Sequence, residues 1–195
     1  MENDYSKTSD YSDYIRHYIN NYPNNKLPGE HHFVAIYLAP KIFKIPQGMI
    51  PDYINPDGTK DVIGDLFYKE KDVSIEIKYM KIKFTEKQIN NWIKGNDKTI
   101  HPKYIIGINE NRLFLQNFEE FRKNYICILE DILKKQKKIV SNIEEYTCKD
   151  YSPQINVDKY VKDCKNKLTN TTLEAFKRDD GREKIFEKAI RDIFE

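Results

Sequence analysis

The sequence predicts an α/β fold with a helical C-terminal extension. Two observations predict it. Segments of helical period alternate with short runs of β-branched and aromatic residues as far as residue 116, and from Asn117 onward every periodic segment is helical. Residues 10–22 carry Tyr11, Tyr14, Ile15, Tyr18, Ile19 and Tyr22 at helical spacing, with Pro23 just after. The aromatic stripe reads as core packing. A Pro/Asn loop over 23–28 leads into a second helix over 29–39, where Phe33, Val34, Tyr37 and Leu38 share one face and Glu30 falls on the same side.

Pro51-Asp52 through Asp57-Gly58 reads as loop, because two prolines and a turn signal interrupt any ladder. Strands are expected at about 62–68, 73–83, 103–108 and 112–116, with Lys69-Glu70-Lys71-Asp72 and Asn109-Glu110-Asn111 as turns. A helix beginning near Thr85 separates the two pairs, and Thr85-x-x-Gln88 is a capping box that would start it. Trp92, one helical turn after Gln88, reads as core or interface packing.

Phe118, Phe121, Tyr125, Ile128, Leu129, Ile132, Leu133 and Ile139 then trace one long stripe. Tyr160, Val161, Cys164 and Leu168 mark another helix, and Thr171-x-x-Glu174 a further capping box. Gly181 precedes a last helix with Ile185, Phe186, Ala189, Ile190, Ile193 and Phe194. Residues 117–195 are expected to pack on the first 116 or to form a dimer interface, in one compact domain.

Composition narrows the classes. A third of the chain is charged, yet 14 Tyr, 10 Phe and one Trp supply enough aromatic surface to argue against disorder. At 195 residues the chain is long enough to bury a core. No apolar run approaches membrane-spanning length, and Met1-Glu2-Asn3-Asp4 does not open a secretory signal. Cys127, Cys148 and Cys164 are an odd, widely spaced set that fits reduced thiols and a cytoplasmic location. The net charge of +2 says little about partners unless the charge is segregated.

The chemistry concentrates at Asp65 and at Val73-Ser-Ile-Glu76-Ile77-Lys78-Tyr. Alternation along a strand puts Glu76 and Lys78 on one face and Ile75 and Ile77 on the other. A hairpin turn brings Asp65 back beside Glu76. Two carboxylates so placed can hold Mg²⁺ through hard oxygen ligands, and a neighbouring ammonium can orient a water for attack on phosphorus. The bland alternative is a cross-strand ion pair: Asp163-Cys164-Lys165 repeats the acid-x-Lys triplet in a helix-like segment, where it reads as a solvated face.

Asp65 with Glu76-Ile77-Lys78 resembles the signature of the PD-(D/E)xK nuclease superfamily, which includes many type II restriction endonucleases. Residues 29 to 116 carry the likeness, the 29–38 run resembling the family's N-terminal helix, which often adds an acid to the metal site. The resemblance implies a restriction-endonuclease-like core, a central mixed sheet flanked by helices, within residues 1–116. It implies metal binding at Asp65, Glu76 and Ile77, catalytic roles for Asp65, Glu76 and Lys78 with assistance from Glu30, and one or two Mg²⁺ per site with Mn²⁺ able to substitute.

Alternatives stay open. Asp52 of the literal Pro51-Asp52 pair competes with Asp65 as the leading acid. Glu30 could equally be a first-turn acid favoured by the helix dipole. His31 and His32 point to different helix faces and lack further ligands at zinc spacing.

Lys81 and Lys83 interleave with Met80, Ile82 and Phe84, so one strand face is cationic. With Lys87 and Gln88 it makes a candidate DNA-backbone surface, although Gln88 has its competing role in the cap. Lys134-Lys135-Gln136-Lys137-Lys138 reads as the solvated side of the long helix. The expectation is a Mg²⁺-dependent endonuclease acting on double-stranded DNA as a homodimer, of the type II restriction kind. A junction-resolving, repair or CRISPR-associated nuclease of the same superfamily, or a non-catalytic nucleic-acid-binding helical protein, stands as the alternative.

Overall fold

The computed structural model describes residues 50–51, 64–68, 71–95, 101–109, 111–135, 153–175 and 181–195, with 50–51 and 66–68 as backbone alone. The expected helices over 10–22 and 29–39 lie outside these residues. What is described is α/β. Among the described residues six strands form one mixed sheet, β1 (Ile50–Pro51), β2 (Leu66–Tyr68), β3 (Val73–Tyr79), β5 (Tyr104–Ile108), β6 (Arg112–Asn117) and β8 (Thr169–Thr172), adjacent in that order. Only β3 and β5 run parallel, and the other neighbours are antiparallel.

Pro51, expected in a loop, instead pairs with Leu66 at the sheet edge. A two-residue edge strand is a place where a missing N–H is tolerated. The single strand expected over 73–83 is two. Met80 adopts φ 61°, which turns the chain out of the sheet, so β4 (Lys81–Ile82) pairs with β7 (Ile155–Asn156) in a separate ribbon.

A parallel neighbour requires a crossover. It is made by α1 (Glu86–Gln88), which continues directly as a π-helical segment over Ile89–Ile93 closed by Lys94 N–H donating to the Ile89 carbonyl. α2 (Phe118–Lys135) follows β6 without a loop, and the Asn117 side chain accepts from the Glu119 N–H at its start. α3 (Val157–Asp163) is capped by Asn156 and ends at Cys164, short of the Leu168 expected within it. Thr171, read as a helix cap, lies in β8 opposite Leu113. Residues 117–195 therefore add strands to the fold as well as helices. α4 (Arg182–Phe194) begins after Gly181, whose φ of 86° suits glycine.

The sheet is covered on both faces. Ile75, Ile77, Ile106, Ile108, Leu113 and Leu115 pack with Phe186, Ile190 and Phe194 of α4. On the other face Ile105 and Phe114 meet Ile82, Phe84, Ile89 and Ile93, the apolar stripe of α2, and Tyr160 of α3. Alternation along β5 and β6 divides the two cores. Within the second core, the Tyr160 hydroxyl donates to the buried Gln116 side chain at 2.6 Å, and burial pushes both the Tyr160 phenol and the nearby Cys164 thiol up from their ordinary pKa values. Among the described residues no helix is long and apolar enough to cross a membrane.

Gly107 of β5 lies under the ring of its cross-strand partner Phe114, and a Cβ there would overlap that ring. Gly107→Ala is expected to cost about 2 kcal/mol through forced repacking, read as a lower urea midpoint at unchanged slope.

Candidate active site

β3 is central in its sheet and buried on both faces, a setting in which strands are normally apolar throughout. Glu76 and Lys78 break that rule. They project onto the aromatic-rich face, while Ile75 and Ile77 enter the core beneath α4. Glu76 is only 4% exposed, and an unpaired carboxylate at such a position would be prohibitive. Lys78 Nζ meets its Oε1 at 2.5 Å, with the lysine side chain itself 13% exposed. The ammonium also lies 4.6 Å from the centre of the Phe84 ring, a cation–π contact.

Asp65 reaches the same triplet from β2. Its N–H donates to the Ile75 carbonyl at 2.9 Å, and its carboxylate Oδ2 accepts from the Ile77 N–H at 2.7 Å. β2 begins at Leu66, so the side chain of Asp65, just before it, takes over a β3 amide that lies beyond the first paired residue of β2. In a strand the N–H and C=O of one residue project to the same edge, so the Ile77 carbonyl also faces the side from which Asp65 approaches. The Ile77 side chain is a hydrocarbon buried among apolar neighbours, so its backbone carbonyl is the oxygen this residue can offer a cation.

Gly64 makes the approach geometrically possible. Its φ is 105°, and a Cβ would stand 2.8 Å from the Ile75 carbonyl oxygen. The glycine precedes Asp65 plainly in the sequence, but a close approach to the Ile75 backbone, eleven residues downstream, leaves no local signal.

Asp65, Glu76, Ile77 and Lys78 are thus brought to one end of β3. Lys81, Lys83 and Lys87 follow along the chain and are all exposed, while the intervening Ile82 and Phe84 are buried. Gln88 completes the capping box: Thr85 N–H donates to its side-chain oxygen at 3.0 Å, and its own N–H donates to Thr85 Oγ1 at 3.2 Å. Glu30 and Asp52 lie outside the described residues, as do His31 and His32. Among the described residues no three His, Cys, Asp or Glu side chains converge. The donor set is two carboxylates and a strand carbonyl. All are hard oxygens, and Mg²⁺ is commonly held by one or two carboxylates with substrate and water completing its shell. The residues present fit such a cation.

The sequence pattern did not expose the role of Phe84. The available signal was its place immediately before the Thr85 cap: there an apolar residue packs back against the one four positions into the helix, and Phe84 and Ile89 do share a core cluster. Compared with protein-family models, curated proteins and solved structures, the chain matches none.

Two expectations follow from this geometry. Gly64→Ala should lower stability by about 2 kcal/mol and speed hydrogen exchange at the Ile77 amide as the Asp65 carboxylate is pushed away. Lys78→Met leaves the Glu76 carboxylate buried without its cation and should cost about 3 kcal/mol, whereas adding Glu76→Gln should recover part of that loss. Urea unfolding of the two single variants and the double variant measures the coupling.

Proposed function

We propose that this chain is a metal-dependent endonuclease that hydrolyses phosphodiester bonds in double-stranded DNA, of the sequence-specific restriction type. The observation that carries the reading is the seating of the Asp65 carboxylate on the Ile77 amide, between a nearly buried Glu76 and Lys78. Asp65 and Glu76 would hold Mg²⁺, with the Ile77 carbonyl as a third oxygen. A cation bound there would offset the charge that grows on the phosphate and the leaving oxygen. Lys78 donates to the attacking water and holds it for displacement at phosphorus. The exposed Lys81, Lys83 and Lys87 contact backbone phosphates, so binding weakens steeply with salt. The reading carries a homodimer with it, since a two-fold assembly suits a palindromic site.

A second reading has its own support. Asp65 with the Ile77 amide, and Glu76 with Lys78, are satisfied pairs that a purely structural strand end would also show. Glu76→Ala separates the two: the nuclease loses cleavage and keeps DNA binding, whereas a binding protein keeps whatever activity it has.

The direct test is digestion of a panel of plasmid and phage DNA with Mg²⁺, with EDTA, and with the Lys78→Ala variant. Discrete fragments that disappear in both controls are the expected result. Intact duplex throughout would remove the restriction reading and move the test to branched DNA and RNA.

A further inference from the structure

The Lys78 ammonium has two neighbours of different kinds. One is the Glu76 carboxylate at 2.5 Å, the other the face of Phe84 at 4.6 Å. On the nuclease reading, on which this inference rests, Glu76 is also a cation ligand. A carboxylate that serves a divalent cation holds an ammonium less well, because the two positive charges repel and share one anion. A ring face has no such second duty. We propose that Phe84 is a positioning residue for Lys78, holding its ammonium at the site when the Glu76 carboxylate is engaged by a cation.

The fold prepares Phe84 for this role. The residue is 1% exposed. Trp92 meets it edge-on at 6.2 Å and Tyr125 at 5.2 Å, with Phe121 tilted at 5.9 Å. Three rings packed around a fourth leave it little rotational freedom. Its backbone is fixed by the Thr85–Gln88 capping box directly after it, and Ile89 packs in the same cluster. Lys78 enters from the sheet and Phe84 from the crossover, so two separately anchored elements meet at one ammonium.

Four proteins test the idea: wild type, Phe84→Leu, Phe84→Tyr and Phe118→Leu. Phe118 belongs to the same aromatic cluster and packs on Trp92 and Phe121, so its truncation reports general loosening of the core. Cleavage by Phe84→Leu should show kcat reduced about tenfold, equivalent to about 1.4 kcal/mol, with KM unchanged. Phe84→Tyr, which keeps a ring face, should restore wild-type kcat, and Phe118→Leu should match wild type.

A kcat for Phe84→Leu within about twofold of wild type would overturn the proposal. So would an equal loss in Phe118→Leu. If Phe84→Leu does not fold, as judged by circular dichroism, Phe84→Met takes its place, filling the volume without a ring.

A second readout does not need turnover. With Mg²⁺ alone, the Lys78 ammonium protons should give a resolved, slowly exchanging NMR signal in wild type and Phe84→Tyr, and a broadened one in Phe84→Leu. Identical signals in all three would sink the positioning role. A wild-type protein that cleaves no nucleic acid refutes the nuclease reading instead, and the ammonium signal still reports whether the ring holds Lys78.

Discussion

The parallel pairing of β3 with β5 is the constraint on which the rest of the structure depends. It joins the antiparallel β1–β2–β3 segment to the antiparallel β5–β6–β8 segment in one sheet. Because parallel neighbours cannot be linked by a tight turn, it compels the chain to leave the sheet after Tyr79, cross one face and return. That crossing carries Phe84 over the Lys78 ammonium and packs Ile82, Ile89 and Ile93 against the same face of the sheet, with Ile105 and Phe114. It also leaves β3 and β5 interior, so their opposite faces must be filled from elsewhere, by α4 on one side and by α2 and α3 on the other.

The candidate site is where this plan is interrupted. Interior strands of a doubly covered sheet favour unbroken apolar runs, and β5 follows the rule with Ile105, Ile106 and Ile108. β3 departs from it with two charges on one face. The desolvation of both is offset by their mutual contact and by the Phe84 ring, and the fold is arranged locally to keep them in place. Gly64 permits the close passage of the chain, and Asp65 satisfies an amide that lies beyond the start of β2. Such local departures from the pattern are typical of functional positions, although ion pairs also occur for structural reasons alone.

Much of this was legible in the residues. Alternation in β3 assigned Glu76 and Lys78 to one face, the capping box started α1 at Thr85, and the α2 stripe emerges with all its aromatic members buried. What escaped the sequence is non-local or conformational. The break at Met80 depends on a left-handed backbone in a residue with no preference for it, so 73–83 read as one strand. Thr171-x-x-Glu174 has the residues of a helix cap, but pairing of β8 with β6 overrides that local preference. The α3 helix stops early because Cys164 is drawn into bonds with Asn124 and the Asn166 carbonyl, a contact set by a neighbour forty positions away.

Pro51 has a consequence for the molecule's behaviour in a crowd. Among the described strands β1 is one border of the sheet, and borders are where foreign chains add themselves by hydrogen bonding to a free backbone. A proline carries no amide proton, so half of a two-residue border strand has nothing to donate to an incoming chain. The proline that breaks a regular ladder thus also discourages runaway self-association along that side of the sheet.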